Sequence, residues 1–281
     1  MGILERIIWL TIYYANTLAL FTGLAAFDRG VDAIRWPKNV VKSATANMCM
    51  LAINMSIAPV VFAVATFAEA GYDRLALPHV APEAWDHVPA WVMLAIGILI
   101  RDFADYWNHR LLHSRVFWPI HSVHHSDPDL NNTTAFRIHF FETIMMHLSY
   151  ILIASWMGLP PELTAGISVL LVLASRYIHM TVDWGHGFLR YVIASPRFHQ
   201  WHHADDPSSY NTNFANLFVG WDLLFGTYRV PGPCNERFGI SGMPKHNILK
   251  LLIWPFTEWM KMCRQALPGR PPGQALAKTD R

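Results

Sequence analysis

The chain is short of charge. Asp, Glu, Lys and Arg make up 15% of its 281 residues, against about 25% in an ordinary soluble domain. Cysteine is scarce as well. Cys49, Cys234 and Cys263 stand far apart and form no CxxC pair, so neither a disulfide framework nor a cysteine zinc site is expected. Neither sign of charge dominates: the formal net charge is +2. With no basic stripe, RNA-binding signature or zinc finger, the chain is not expected to bind nucleic acid. The HExxH of zinc peptidases is absent, as are solenoid repeats and low-complexity tracts.

Apolar residues, by contrast, reach 53%. A membrane-spanning helix needs about 20 of them in a row, and five stretches qualify or nearly do. The first, Ile3 to Phe27, has Glu5 in its head and no small-residue cleavage site, so it reads as a retained helix and not a signal peptide. The second runs from Ala44 to Phe67, with a kink expected at Pro59. The third, Val88 to Ile100, is short; its pattern continues to His109, as one helix whose end leaves the bilayer. The fourth and fifth, Phe141 to Gly158 and Leu163 to Thr181, are separated by Leu159-Pro160-Pro161-Glu162 and are expected to form a tight antiparallel hairpin.

Lysine and arginine placement orients these spans. Arg29, Arg35, Lys38 and Lys42 follow the first, Arg101, Arg110, Arg115 and Arg137 follow the third, and six more lie between Arg190 and Lys250. Arg74 stands alone after the second. Residues 28–43, 101–140 and 182–281 are therefore expected on the cytoplasmic side, with the N-terminus outside. Two long polar segments then share one membrane face. Leu251 to Met262 reads as an amphipathic helix, either interfacial or packed on the polar cap. The tail from Pro268 is expected to be disordered.

Histidine carries the chemistry. Twelve of the 15 histidines lie from His109 to His203. His109-Arg-Leu-Leu-His113 is HxxxH, and His121-Ser-Val-His124-His125 and His199-Gln-Trp-His202-His203 are both HxxHH. Residues three or four apart share a helix face, so each box aims its imidazoles to one side. Eight imidazoles exceed the four of a structural zinc site and suit two ions, though imidazole alone accepts Zn, Cu, Fe or Ni. The competing readings fit less well. Exposed or pH-sensing histidines do not need this register. A metal transporter would spread its histidines within spans, and a zinc hydrolase would use three ligands beside a general base.

With these boxes in view, the chain closely resembles the fatty acid hydroxylase / sterol desaturase superfamily over about residues 95 to 230. Supporting matches are Asn132-Thr-Thr-Ala-Phe-Arg-Ile-His139 and Trp221-Asp-Leu-Leu-Phe-Gly-Thr-Tyr228. The resemblance implies an all-α integral-membrane bundle of about four to five spans, with a cytosolic helical cap holding a histidine-rich di-metal site. It divides the chain into membrane helices 1–94, a catalytic domain 95–230 that includes the hairpin 141–181, and an amphipathic segment with tail, 231–281. It implies two iron ions, O2 as co-substrate and two electrons, used to hydroxylate or desaturate a lipid, with the metal facing the cytoplasm of a bacterial inner membrane. Electrons are expected from a separate cytochrome b5-like or ferredoxin/reductase partner, since no fused haem, flavin or ferredoxin motif is present.

The implied ligands are His109, His113, His121, His124, His125, His199, His202 and His203. The family adds a histidine-bearing element between the HxxHH boxes. Here His179 is the favoured candidate, with His186 and Asp183 competing for the remaining place. Asp102, Asp105, Asp183, Asn213 and Asp222 are candidate hydrogen-bond partners of the ligands, as metal-bound histidines need; solvated or capping side chains are the alternative. His139 is read as such a partner or as a core histidine, and His147 as a helix-packing residue.

Overall fold

A computed structural model describes residues 39–266. The first expected span and the polar tail lie outside that range. The described residues form nine α-helices joined by loops and single 3-10 turns, with no strand among them beyond two isolated bridges.

The second expected span is two helices, α1 (Val40–Ser56) and α2 (Ala58–Arg74), bent by 50°. Pro59 sits at the start of α2. It has no N–H to offer the preceding turn and its ring crowds the carbonyl four residues back, so the chain breaks here instead of merely kinking. α3 (Ala90–Leu112) is one continuous helix, apolar to Ile100 and polar from Arg101 onward. α5 (Phe140–Met157) and α6 (Pro161–Ile178) are long and apolar enough to cross a membrane; the bent α1–α2 pair brings the total to as many as three. Only 11% and 22% of the α5 and α6 windows are buried inside the protein, so most of their residues keep some surface exposed, as in helices that meet lipid.

α5 and α6 follow each other through Gly158, Leu159 and Pro160, but each leans on another helix. α5 packs on α2, and α6 packs on α3, which touches both. Gly97 lets α3 and α6 approach: a Cβ there would lie 2.3 Å from the Ile167 side chain. Gly158 ends α5 in the left-handed conformation (φ 59°), where glycine is favoured. The α2–α3 connection covers this end. Val80 N–H donates to Trp156 O (2.8 Å) and Trp85 Nε1–H to Met157 O (2.9 Å), satisfying carbonyls that a helix end leaves orphaned.

The opposite ends of α3, α5 and α6 carry the polar cap. It contains α4 (Trp118–His125), α7 (Pro196–His203), α8 (Gly220–Leu224) and α9 (Ile248–Ala266). α9 buries Leu251, Pro255 and Glu258 and packs on α4 and α1. Trp254 Nε1–H reaches Ser122 Oγ (3.1 Å), and Trp259 Nε1–H reaches Val116 O (2.8 Å). Its other face exposes Leu249, Ile253, Phe256 and Met260. The helix is thus amphipathic, with one face packed on the cap and the other apolar and exposed.

Candidate metal centre

Each histidine box is a short helical stretch with its own local cause. The first box closes α3. The second is α4, whose last turn is braced by Arg137: Nε donates to Val123 O (3.1 Å) and Ser126 Oγ (3.0 Å). The third is α7, opened by Pro196 and by Ser195 Oγ, which accepts from Phe198 N–H (3.1 Å), a favoured N-terminal pairing. His179 caps the C-terminus of α6.

These four elements bring nine of the ten candidate ligands together in two adjoining groups. His109, His113, His121, His125 and His202 form one; His124, His179, His199 and His203 form the other. Within each group the candidate ligand atoms lie within 4.8 Å of one another. The groups touch where His125 stacks on His203, ring centroids 4.4 Å apart.

The donor atoms fit metal ions. In the five-histidine group every Nε2 is buried without a hydrogen-bond partner. In the other, Nε2 of His179 lies 3.1 Å from that of His124 and 2.9 Å from that of His199, which is 3.1 Å from that of His203. Two nitrogens about 2.1 Å from one ion, at right angles, sit about 3.0 Å apart. The Nδ1 atoms help set this orientation. Nδ1–H of His109 donates to Phe214 O (2.8 Å), that of His202 to Thr212 O (2.7 Å), and that of His179 to Ser175 O (2.5 Å). His121 Nδ1–H donates to Glu142 Oε1 (3.0 Å). An acceptor at Nδ1 fixes the tautomer that leaves Nε2 free to ligate.

Electrostatics point the same way. Burial first, and neighbouring imidazoles second, hold His113, His124, His125, His199 and His203 well below the ordinary histidine range. Burial lowers His179 to about 4 and His202 to about 3, against the opposing carbonyl bonds. Those seven rings are thereby held toward the neutral form, which a metal needs.

Other candidates stand elsewhere. His186 lies outside both groups: its ring stacks on Tyr177 (5.6 Å between centroids) and hydrogen-bonds the Tyr177 hydroxyl. Asp183 pairs with Arg197 (2.8 Å). Asp102 accepts from Leu217 N–H, Phe218 N–H and Trp221 Nε1–H (2.9, 2.9 and 3.0 Å). Asp222 accepts from Phe214 N–H and Ala215 N–H (2.8 Å each) and the Thr227 hydroxyl (2.6 Å). Asn213 binds backbone of Phe198 and Arg229. These three brace the loop after the third box, and Asp222 holds the N–H of Phe214, whose carbonyl accepts from His109. Asp105 pairs with Arg101. His139 caps α5, with Nδ1 accepting from Phe141 N–H and Nε2–H donating to Leu252 O. Glu142 was not singled out by the spacing of the boxes. Its available signal was a lone carboxylate in the first turn of an apolar span, where charge is costly.

Two cavities flank the centre. One, of about 400 Å³, has a mostly apolar surface with side chains such as Leu112, Met146 and Val172, interspersed with Arg101, Asp105, Glu142 and Arg176, and His109, His121, His124, His179 and His199 lie on its wall. The other, of about 30 Å³, meets His113, His125, His202 and His203. Each of the nine histidines thus faces one cavity, and the centre forms a partition between them.

The comparisons with known proteins agree with this geometry. Residues 94–227 match the family model described as fatty acid hydroxylase. That stretch, a little under half of the chain, is similar to the fatty acid hydroxylase family. Over 98% of its length it is 26% identical to an ornithine lipid hydroxylase of Rhizobium tropici, covering 83% of that protein. An alkylglycerol monooxygenase of Xenopus tropicalis is 31% identical over 56% of the chain, and methylsterol monooxygenase 1 of Gallus gallus is 29% identical over 52%. The chain spans 34% and 50% of those two proteins. No solved structure matches it.

Proposed function

We propose that this chain belongs to the fatty acid hydroxylase family and is an integral-membrane monooxygenase that hydroxylates an unactivated C–H bond of a lipid. It uses O2, two electrons and two iron ions held by the nine clustered histidines. The observation that carries the reading is the contact between a nine-imidazole centre and an apolar cavity of about 400 Å³. A metal store or sensor has no use for such a cavity. The named relatives are hydroxylases and monooxygenases, which favours oxygen insertion over desaturation by the same ligands.

Bound iron supplies O2 activation and redox equivalents that no side chain has. The chain does the rest. His109, His113, His121, His125 and His202 would hold one ion, and His124, His179, His199 and His203 the other. The acceptors at Nδ1 keep four of those rings fixed and correctly protonated. Leu112, Met146 and Val172 exclude water and align an acyl chain or ring system along the centre. Val172 lines the cavity and is also 48% exposed on the apolar helix α6, so substrate enters sideways from the bilayer. Electrons come from a separate cytochrome b5-like or ferredoxin/reductase protein. The lysine and arginine pattern supports a centre that faces the cytoplasm, and the reading takes the membrane to be a bacterial inner membrane.

The test is lipid mass spectrometry of cells with and without the chain, paired with iron analysis of the purified protein. One oxygen gained by a lipid, with two irons per chain, is expected. Loss of two hydrogens would mean desaturation, and no lipid change with no bound iron would overturn the reading.

A further inference from the structure

We infer that the two ions are held unequally: the five-histidine group binds tightly and the four-histidine group exchanges. This rests on the di-iron reading above.

A histidine ligates through Nε2 only when Nδ1 carries the proton. An acceptor at Nδ1 fixes that tautomer, locks the ring and makes Nε2 more basic; losing one such partner costs roughly 10- to 100-fold in metal affinity. The two groups differ sharply in this support. In the five-histidine group, His109, His121 and His202 each donate Nδ1–H to a protein oxygen at 2.7–3.0 Å, and the Asn211 side chain hydrogen-bonds His113. The acceptor for His121 is a carboxylate. Glu142 is buried, and its Oε2 has no other donor, so its bond to His121 is undivided. In the four-histidine group only His179 is braced, by Ser175 O. Nδ1 of His124, His199 and His203 is buried without a protein partner. Ligand number, ring orientation and nearby negative charge all favour the first group.

The test uses the full chain in lipid nanodiscs, loaded anaerobically with Fe2+ and titrated with a colorimetric Fe2+ chelator. Iron retained per chain is followed, with Mössbauer spectra at each plateau. Two release steps at least tenfold apart are expected, with one iron per chain between them. His203→Ala should remove the early step and leave one tightly held iron. Glu142→Gln keeps size and an acceptor oxygen but not the charge, so a packing role alone would leave iron release unchanged. It should instead move the late step tenfold or more toward the early one.

Release of both ions in a single wild-type step would overturn the inference while leaving the di-iron reading intact. A folded wild-type chain that binds no iron would overturn that reading itself. Because the wild-type titration decides the inequality, a poorly folding variant does not obscure the result.

Discussion

Nε2 of His179 lies 2.9 Å from Nε2 of His199, although 20 residues separate them. The contact arises because α6 ends in His179 just where α7 passes, and the two helices pack on each other. His179 thereby joins the histidine cluster, whereas His186 turns away onto Tyr177. His179→Ala is expected to lose the iron of the four-histidine group and at least tenfold in lipid turnover, within the range for a lost metal contact. His186→Ala should retain both irons. Metal analysis of the two purified variants checks this, and iron loss on His186→Ala would count against it.

The histidine boxes were legible because their information is local. Imidazoles at i, i+3 and i+4 share a helix face wherever the helix goes, so the register of His121, His124 and His125 survives without any tertiary knowledge. The partners of those imidazoles were not legible. Phe214 and Thr212 contribute backbone carbonyls, which leave no mark in a side-chain pattern, and Glu142 arrives from a different helix. Asp102 and Asp222 stood out near the boxes, but only the fold shows that both spend their oxygens on backbone N–H groups of the following loop. Pro59 marked a kink within one span; the sequence could not tell such a kink from the 50° turn between two helices.

His139 gives the fold a pH dependence apart from the metal. Its neutral ring accepts from Phe141 N–H through Nδ1 and donates to Leu252 O through Nε2. Burial holds it below the ordinary histidine range, against the pull of the Leu252 carbonyl and Glu142. Below about pH 6.5 the unfolded chain takes a proton that the folded chain resists, and a protonated Nδ1 can no longer cap α5. This contribution is therefore complete above pH 6.5 and lost as pH falls. His139→Asn keeps a good cap but loses the Leu252 bond, about 1 kcal/mol. Thermal unfolding of purified protein from pH 7.5 to 5 should show the variant less stable at high pH, with a flatter decline. A parallel decline would contradict this role.

Asp102 is a test of bracing against metal chemistry. Its two oxygens receive three N–H donors from residues 217, 218 and 221. In Asp102→Asn one of those oxygens becomes an NH2 group facing a donor, leaving a buried N–H unsatisfied at a cost of about 1–3 kcal/mol. Chemical denaturation should register that loss, while iron content after purification stays at the wild-type level. If iron falls and stability does not, Asp102 acts on the ligands and not on the loop.

Val172 tests the lateral entrance. It sits on α6, between the apolar cavity and the outer surface of a helix suited to lipid contact. A larger side chain there narrows the mouth without touching a histidine. Val172→Trp is expected to cut turnover of long-chain lipid roughly tenfold, a barrier increase of about 1.4 kcal/mol, and to leave iron content and thermal stability unchanged. The effect should be greatest for bulky substrates, because narrowing penalises passage and not the chemistry at the centre. Comparing product yield for short- and long-chain lipids in the same membranes checks this. Equal losses for both would place the entrance elsewhere.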